Sequence, residues 1–132
     1  MSSVDRVAVW VDRWQMACCG TPFSIGDSLD WTVSNNVDRA FLGRVTSPEV
    51  AGRIDYSEEH HDDDETVLGL TGVVRSIRLA SCRYELEDGG GSAPAAGSGQ
   101  LRDVASTTER PPKTGDEHRP GWIVEVGPFR VH

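Results

Sequence analysis

Apolar side chains in this chain repeat every second residue, in runs too short and too regular for helices, and this period restricts the fold more than any other feature of the sequence. Leu29, Trp31 and Val33 alternate with Ser28, Asp30, Thr32 and Ser34, the pattern of a strand with one face exposed. From residue 67 to 87 the alternation is longest: Val73, Arg75, Ile77 and Leu79 interleave with Val74, Ser76, Arg78 and Ala80, and the pattern continues through Cys82, Tyr84 and Leu86. A strand of that length predicts a bend near Leu79–Ser81 that folds it into a hairpin. Trp122, Val124 and Val126, alternating with Ile123 and Glu125, predict a closing strand. Near the start, Val7, Val9 and Val11 share one parity and Ala8, Trp10, Trp14 and Met16 the other. That strand is either buried on both faces or changes face through a bulge near Asp12-Arg13.

Helical signals are few. Ala40, Phe41, Leu42 and Val45 fit one short turn, and Ser47-Pro48-Glu49 has an N-cap serine followed by proline at the first helical position. Gly43 and Gly52 limit both pieces, so one or two short helices are expected within 37–53, followed by an extended piece at Ile54–Ser57. Residues 88–100 have the Gly, Ser and Ala composition of a flexible linker or loop, and 106–120 read as a polar loop or a disordered stretch. These two stretches hold the apolar fraction at 37%, so the core must come from about residues 5–87 and the last dozen. The 132 residues fit a single domain. About five strands, tight turns and no alternation of strand with helix point to a mainly β fold, a small antiparallel SH3-like or OB-like barrel with one or two short helices.

Charge excludes several functions. With 13 Lys and Arg against 21 Asp and Glu the net charge is −8, which repels phosphate backbones and anionic membranes, so neither nucleic acid nor membrane is an expected partner. Asp55, Glu58, Glu59, Asp62, Asp63, Asp64 and Glu65 fall in a run without Lys or Arg, which reads either as a solvated acidic loop or as a surface for a cation or a basic partner. No stretch approaches the roughly 18 apolar residues of a membrane span, and the first residues lack a secretion signal; a cytoplasmic location is expected. There the three cysteines remain thiols, and an odd count forbids complete pairing. The glycines at 89–91 precede Ser-Ala-Pro rather than a helix carrying Lys-Ser or Lys-Thr, so they do not form a phosphate loop.

Two candidate sites emerge. Cys18 or Cys19, His60 or His61, and Cys82 carry the thiolate and imidazole groups that zinc prefers, and a barrel can bring three distant segments together. Neighbours on a strand face opposite ways, so one member of each doublet would serve, with Asp62 or water completing an open coordination shell. The same cysteines pack equally well as small buried hydrophobes, and no Cys-x-x-Cys spacing is present. Alternatively His60 or His61 activates a nucleophilic thiol. The second candidate is a binding surface: Trp14 and Gln15 at the disrupted part of the first strand, with the acidic Asp62 and Asp63.

The Gly26-Asp27 turn leading into a strand, with Gly72-Val73-Val74 later, resembles the pattern of SH3-like barrels. Such barrels host many unrelated functions, so the resemblance implies architecture alone. Val9-Trp10-Val11-Asp12, Trp14-Gln15-Met16, Cys18-Cys19-Gly20, Pro22-Phe23, Gly26-Asp27 and Trp31, with Glu58-Glu59-His60-His61 and Gly72 through Tyr84, resemble a family of small uncharacterised proteins from high-GC bacteria. That resemblance implies no reaction. The expectation from the residues is a non-enzymatic binding or accessory module with a protein partner; the alternative is a zinc- or thiol-dependent enzyme centred on Cys18/Cys19, His60/His61 and Cys82.

Overall fold

The computed structural model describes residues 6–13, 16, 21–58, 67–113, 115 and 117–132. The strands are β1 (Val7–Asp12), β2 (Ser28–Ser34), β3 (Tyr56–Glu58), β4 (Val67–Cys82), β5 (Tyr84–Leu86), β6 (Ser92–Pro94), β7 (Gln100–Val104) and β8 (His118–Val131). Two short helices, α1 (Arg39–Val45) and α2 (Pro48–Ala51), lie between β2 and β3. Five strands close a ring in the order β2, β3, β1, β8, β4 and back to β2. The protein is therefore a small, mainly β barrel, as the alternation implies. One neighbouring pair, β1 with β3, runs parallel, and the others are antiparallel.

The barrel interior follows from the pleat. Val7, Val9 and Val11 of β1 point inward and face Val126, Val124 and Trp122 of β8 as direct cross-strand partners. The opposite face of β1 is also buried: Trp10, beside Ile123, packs under Leu42, Val45, Ala51 and Ile54 of the helical segment. The helices thus form an outer layer that covers one side of the barrel, and burial on both faces of β1 matches its double alternation. Both helix starts are capped by side chains: Asp38 accepts from the Phe41 amide at 3.1 Å and Ser47 from the Val50 amide at 3.2 Å, with Pro48 at the first position as expected. Arg39 fastens the pair by donating to the carbonyls of Ala51 and Ile54, at 2.6 and 3.0 Å.

Strand β4 differs from the expected hairpin. It runs unbroken through Leu79–Ser81 because Leu79 and Ala80 are paired on both edges, with Trp122 and Gly121 of β8 on one side and with Arg102 and Leu101 of β7 on the other. A turn there would forfeit both ladders. β4 changes its second partner along its length, pairing with β2 over Val67–Val73 and with β7 over Ile77–Ser81. Three bulges accommodate this. Between Val74 and Ser76 the extra residue is on β4, and it moves the inward set from Leu68, Leu70 and Val74 to Ile77 and Leu79. At Gly72/Val74 and Ala80/Cys82 the extra residue is on β8.

The closing strand is longer than Trp122–Val126, spanning His118–Val131, so the last three residues of the 106–120 stretch belong to it. Residues 88–100 include β6 and the first residue of β7; Ala95 within them is buried, and Gly99 lies against the carbonyls of Val45 and Thr46. The run Asp55–Glu65 contributes to the fold at its described end. The Asp55 carboxylate accepts from the Ala8 amide at 2.9 Å, and Glu58 is buried in β3. None of the described helices is long and apolar enough to cross a membrane.

Candidate binding groove at the barrel mouth

At the end of the barrel where β1 finishes and β8 begins, the cross-strand pair Leu79 and Trp122 forms an apolar floor, joined by Met16 and Pro22. The wall opposite is the segment Thr107–Lys113. Its near end is fixed to the strand-like stretch at Phe23: the Thr107 amide donates to the Phe23 carbonyl at 3.0 Å, Thr107 Oγ1 accepts from the Phe23 amide at 3.2 Å, and the Ile25 amide donates to the Ala105 carbonyl at 2.9 Å. Glu109 braces the turn by accepting from the Ala105 amide at 3.2 Å. The far end is held by Arg119, which donates to the Pro112 carbonyl at 3.2 Å while its Nε pairs with Glu117 at 2.6 Å. The polar segment is therefore a built wall, and the cavity it encloses with the floor measures about 710 Å³.

An adjoining lobe of about 600 Å³ shares Arg13, Lys113 and Arg119 with the first and adds Asp12, Phe41, Tyr84, His118 and Pro120. The β8 bulge explains why Arg119 and Pro120 reach it: between the pairs Ala80–Gly121 and Cys82–His118, the single β4 residue Ser81 is opposed by two of β8, Arg119 and Pro120. Bulges of this kind re-aim side chains at sheet ends. The Tyr84 and His118 rings lie with centroids 4.6 Å apart along one side of this lobe.

Charge is segregated into the groove. Among the described residues, Arg13, Arg110, Lys113 and Arg119 line the larger lobe against one acid, Glu109, in a chain that has 13 Lys and Arg and 21 Asp and Glu. Arg119 is engaged as described, whereas Arg13, Arg110 and Lys113 make no ion pair with any described residue. Beneath them lies one anomaly. Trp122 is 7% exposed, and its indole Nε1 is the buried side-chain nitrogen or oxygen that lacks a hydrogen-bond partner among the described residues. By contrast, the Trp10 indole donates to Asp12 at 2.8 Å. A buried donor left unpaired costs about 1–3 kcal/mol.

Of the residues singled out from sequence, Trp14, Gln15, Cys18, Cys19, His60, His61, Asp62 and Asp63 lie outside the described residues. Arg13 and Met16, which flank Trp14 and Gln15 in the chain, both line the groove. Cys82 is buried in the layer between barrel and helices, packed with Trp10, Ala80 and Ile123. Burial pushes its thiol above the ordinary range, and burial, followed by the charge of Cys82, pushes the Tyr84 phenol up as well. Among the described residues no three His, Cys, Asp or Glu side chains converge as metal ligands. The groove cations Arg110, Lys113 and Arg119 were not singled out from the sequence. The available signal was three cations within ten residues of an acidic chain.

The Cys82 environment carries a prediction. Peptide-level mass spectrometry after iodoacetamide treatment is expected to find Cys82 unmodified in the native protein and modified once denaturant is present, because a raised pKa and burial both suppress the thiolate. The same shift makes stability depend on pH in the alkaline range. The unfolded chain ionises this thiol first, so its contribution is complete below the ordinary thiol pKa and is lost as pH rises above it. A Cys82→Ala variant is expected to lose less of its urea midpoint than the parent between neutral and alkaline pH. An equal loss in both would assign the alkaline sensitivity elsewhere.

No curated protein and no solved structure matches the chain. A family model does, over residues 5–128, which includes nearly the whole barrel and the floor and wall of the groove. The chain belongs to the family of unknown function DUF6578.

Proposed function

We propose that this protein is a non-enzymatic binding module of the cytoplasm whose partner is another protein, and that the groove at the barrel mouth is the contact surface. The observation that carries this reading is the groove's make-up: the Leu79–Trp122 floor with Met16, with Arg110 and Lys113 on the braced wall and Arg13 and Arg119 also lining the lobe. Aromatic residues, methionine and arginine are the side chains enriched where protein interfaces concentrate their binding energy. A wall fixed by hydrogen bonds at both ends lowers the ordering cost of association. Each lobe has the volume of a site that encloses part of a ligand, here a side chain or two of a partner segment. Trp14 and Gln15, next in sequence to Arg13 and Met16, extend this surface in the proposal, with Asp62 and Asp63 as a separate polar contact.

The experiment is site-specific photo-crosslinking in the native host. A benzoylphenylalanine at Thr108, an exposed wall residue, is expected to capture one discrete protein adduct. The same probe at Arg130, exposed near the end of β8 opposite the groove, is expected to capture none. Identical adducts at both positions, or no protein adduct at Thr108, would contradict the reading.

A further inference from the structure

Resting on the groove reading above, we infer that the segment received there is an acidic peptide in which Asp or Glu carboxylates flank one large apolar side chain. The charge segregation points to it. Among the described residues, cations outnumber acids four to one around the larger lobe of a chain whose net charge is −8, and the acid among them, Glu109, already accepts a backbone hydrogen bond. Arg13, Arg110 and Lys113 present charge that no described residue neutralises. Guanidinium and ammonium groups so placed take carboxylates as their natural counterions.

The unpaired Trp122 indole is the second, independent observation. Trp122 belongs to the groove floor, and its buried indole N–H would gain an acceptor if an incoming segment displaced the side chains around it and presented a carbonyl or carboxylate oxygen. The apolar floor of Leu79, Met16 and Pro22 sets the other half of the recognition, since it returns free energy only when an apolar side chain covers it.

Phosphates carry the same sign as carboxylates, but the reach of the field separates them. Charges separated by more than about 8 Å are largely screened at physiological ionic strength. A short acidic segment keeps its charge within the groove, whereas a long nucleic acid would extend its phosphates over the acidic remainder of the surface. The segment received in the groove is therefore a peptide.

Selection from a displayed library of random peptides against the immobilised full chain tests this. Enriched sequences are expected to place Asp or Glu around a Leu, Phe or Trp. The best synthetic peptide is expected to bind about tenfold more weakly to the Arg110→Glu, Lys113→Glu double variant and in high salt. It is expected to lose binding to Thr108→Trp, which plugs the groove. All three substituted residues are exposed, and circular dichroism of each variant is the check that it folds like the parent. Neutral or basic sequences that still depend on Thr108 would overturn the acidic preference and leave the groove reading standing. A library without any groove-dependent binder overturns both. Tighter binding of single-stranded oligothymidine than of the best peptide would also overturn the inference.

Discussion

Gly121→Val is expected to abolish the cooperative unfolding transition of this protein. Gly121 sits in β8 between β1 and β4, paired with Asp12 on one side and Ala80 on the other. A Cβ built there meets the Val11 carbonyl oxygen and comes within 2.8 Å of Trp10 Cζ2. The carbonyl is backbone held in the barrel ladder, and Trp10 is pinned beneath the helices by its own packing and by its bond to Asp12. Neither is the free end of a flexible chain. Overpacking typically costs 1–3 kcal/mol where side chains can adjust, and more where backbone must move. Two branched methyl groups added at this point threaten most of the roughly 5–15 kcal/mol that stabilises a domain. Urea titration followed by circular dichroism is the measurement, with Gly90→Ala as control: Gly90 has φ 94° but no atom within 4 Å of a new Cβ, so only local strain is incurred. A parent-like midpoint for Gly121→Val would mean that β8 does not approach β1 as described.

The second large effect concerns two leucines in strands. Leu70, fully buried in the barrel, pairs with Trp31 of β2 and Val131 of β8. Truncation to alanine is expected to lower stability by about 2–5 kcal/mol through lost apolar transfer and a residual cavity. Leu86, at 86% exposure, undergoes the same chemical change with no measurable effect, within about 0.5 kcal/mol. The two midpoints in urea, at an unchanged slope, give the comparison. Equal effects at both positions would contradict the assignment of the barrel interior.

Much of the barrel was legible because the pleat writes itself into the sequence wherever a strand is regular. β2 appears at the expected residues, and β1 announces its two buried faces through Val9 and Trp10. Legibility fails at the bulges. Val73, Arg75, Ile77 and Leu79 look like one face, but the extra residue between Val74 and Ser76 puts Val74 inside with Ile77 and Leu79. A one-residue insertion exchanges faces without leaving any trace in the alternation. β8 was underestimated for a related reason. Pro120, Gly121, Gly127 and Pro128 read as breakers, yet they lie at or beside its two bulges, where the ladder is already interrupted. β7 follows a Gly- and Ser-rich stretch and, among the described residues, pairs with β4 alone, so its identity as a strand comes from that partner rather than from its own pattern.

The groove was less legible than the barrel. Arg110 and Lys113 belong to no periodic element, and they meet Trp122 because the ties at Phe23 and Arg119 hold the 107–113 segment against the mouth. Such ties join residues far apart in sequence: Phe23 and Thr107 are 84 positions apart. Cys82 drew attention as a candidate ligand because of its residue type, while its position in the strand places it among Trp10, Ala80 and Ile123.

The most direct measurement is the Trp122 indole N–H resonance in a nitrogen-15 correlation spectrum, recorded for the full chain alone and with the partner segment captured at Thr108. The account predicts a large downfield proton shift for Trp122 as its unpaired donor gains an acceptor, with the Trp10 indole, already bonded to Asp12, unchanged. A bound partner that leaves the Trp122 resonance where it was would place the contact surface somewhere other than this groove.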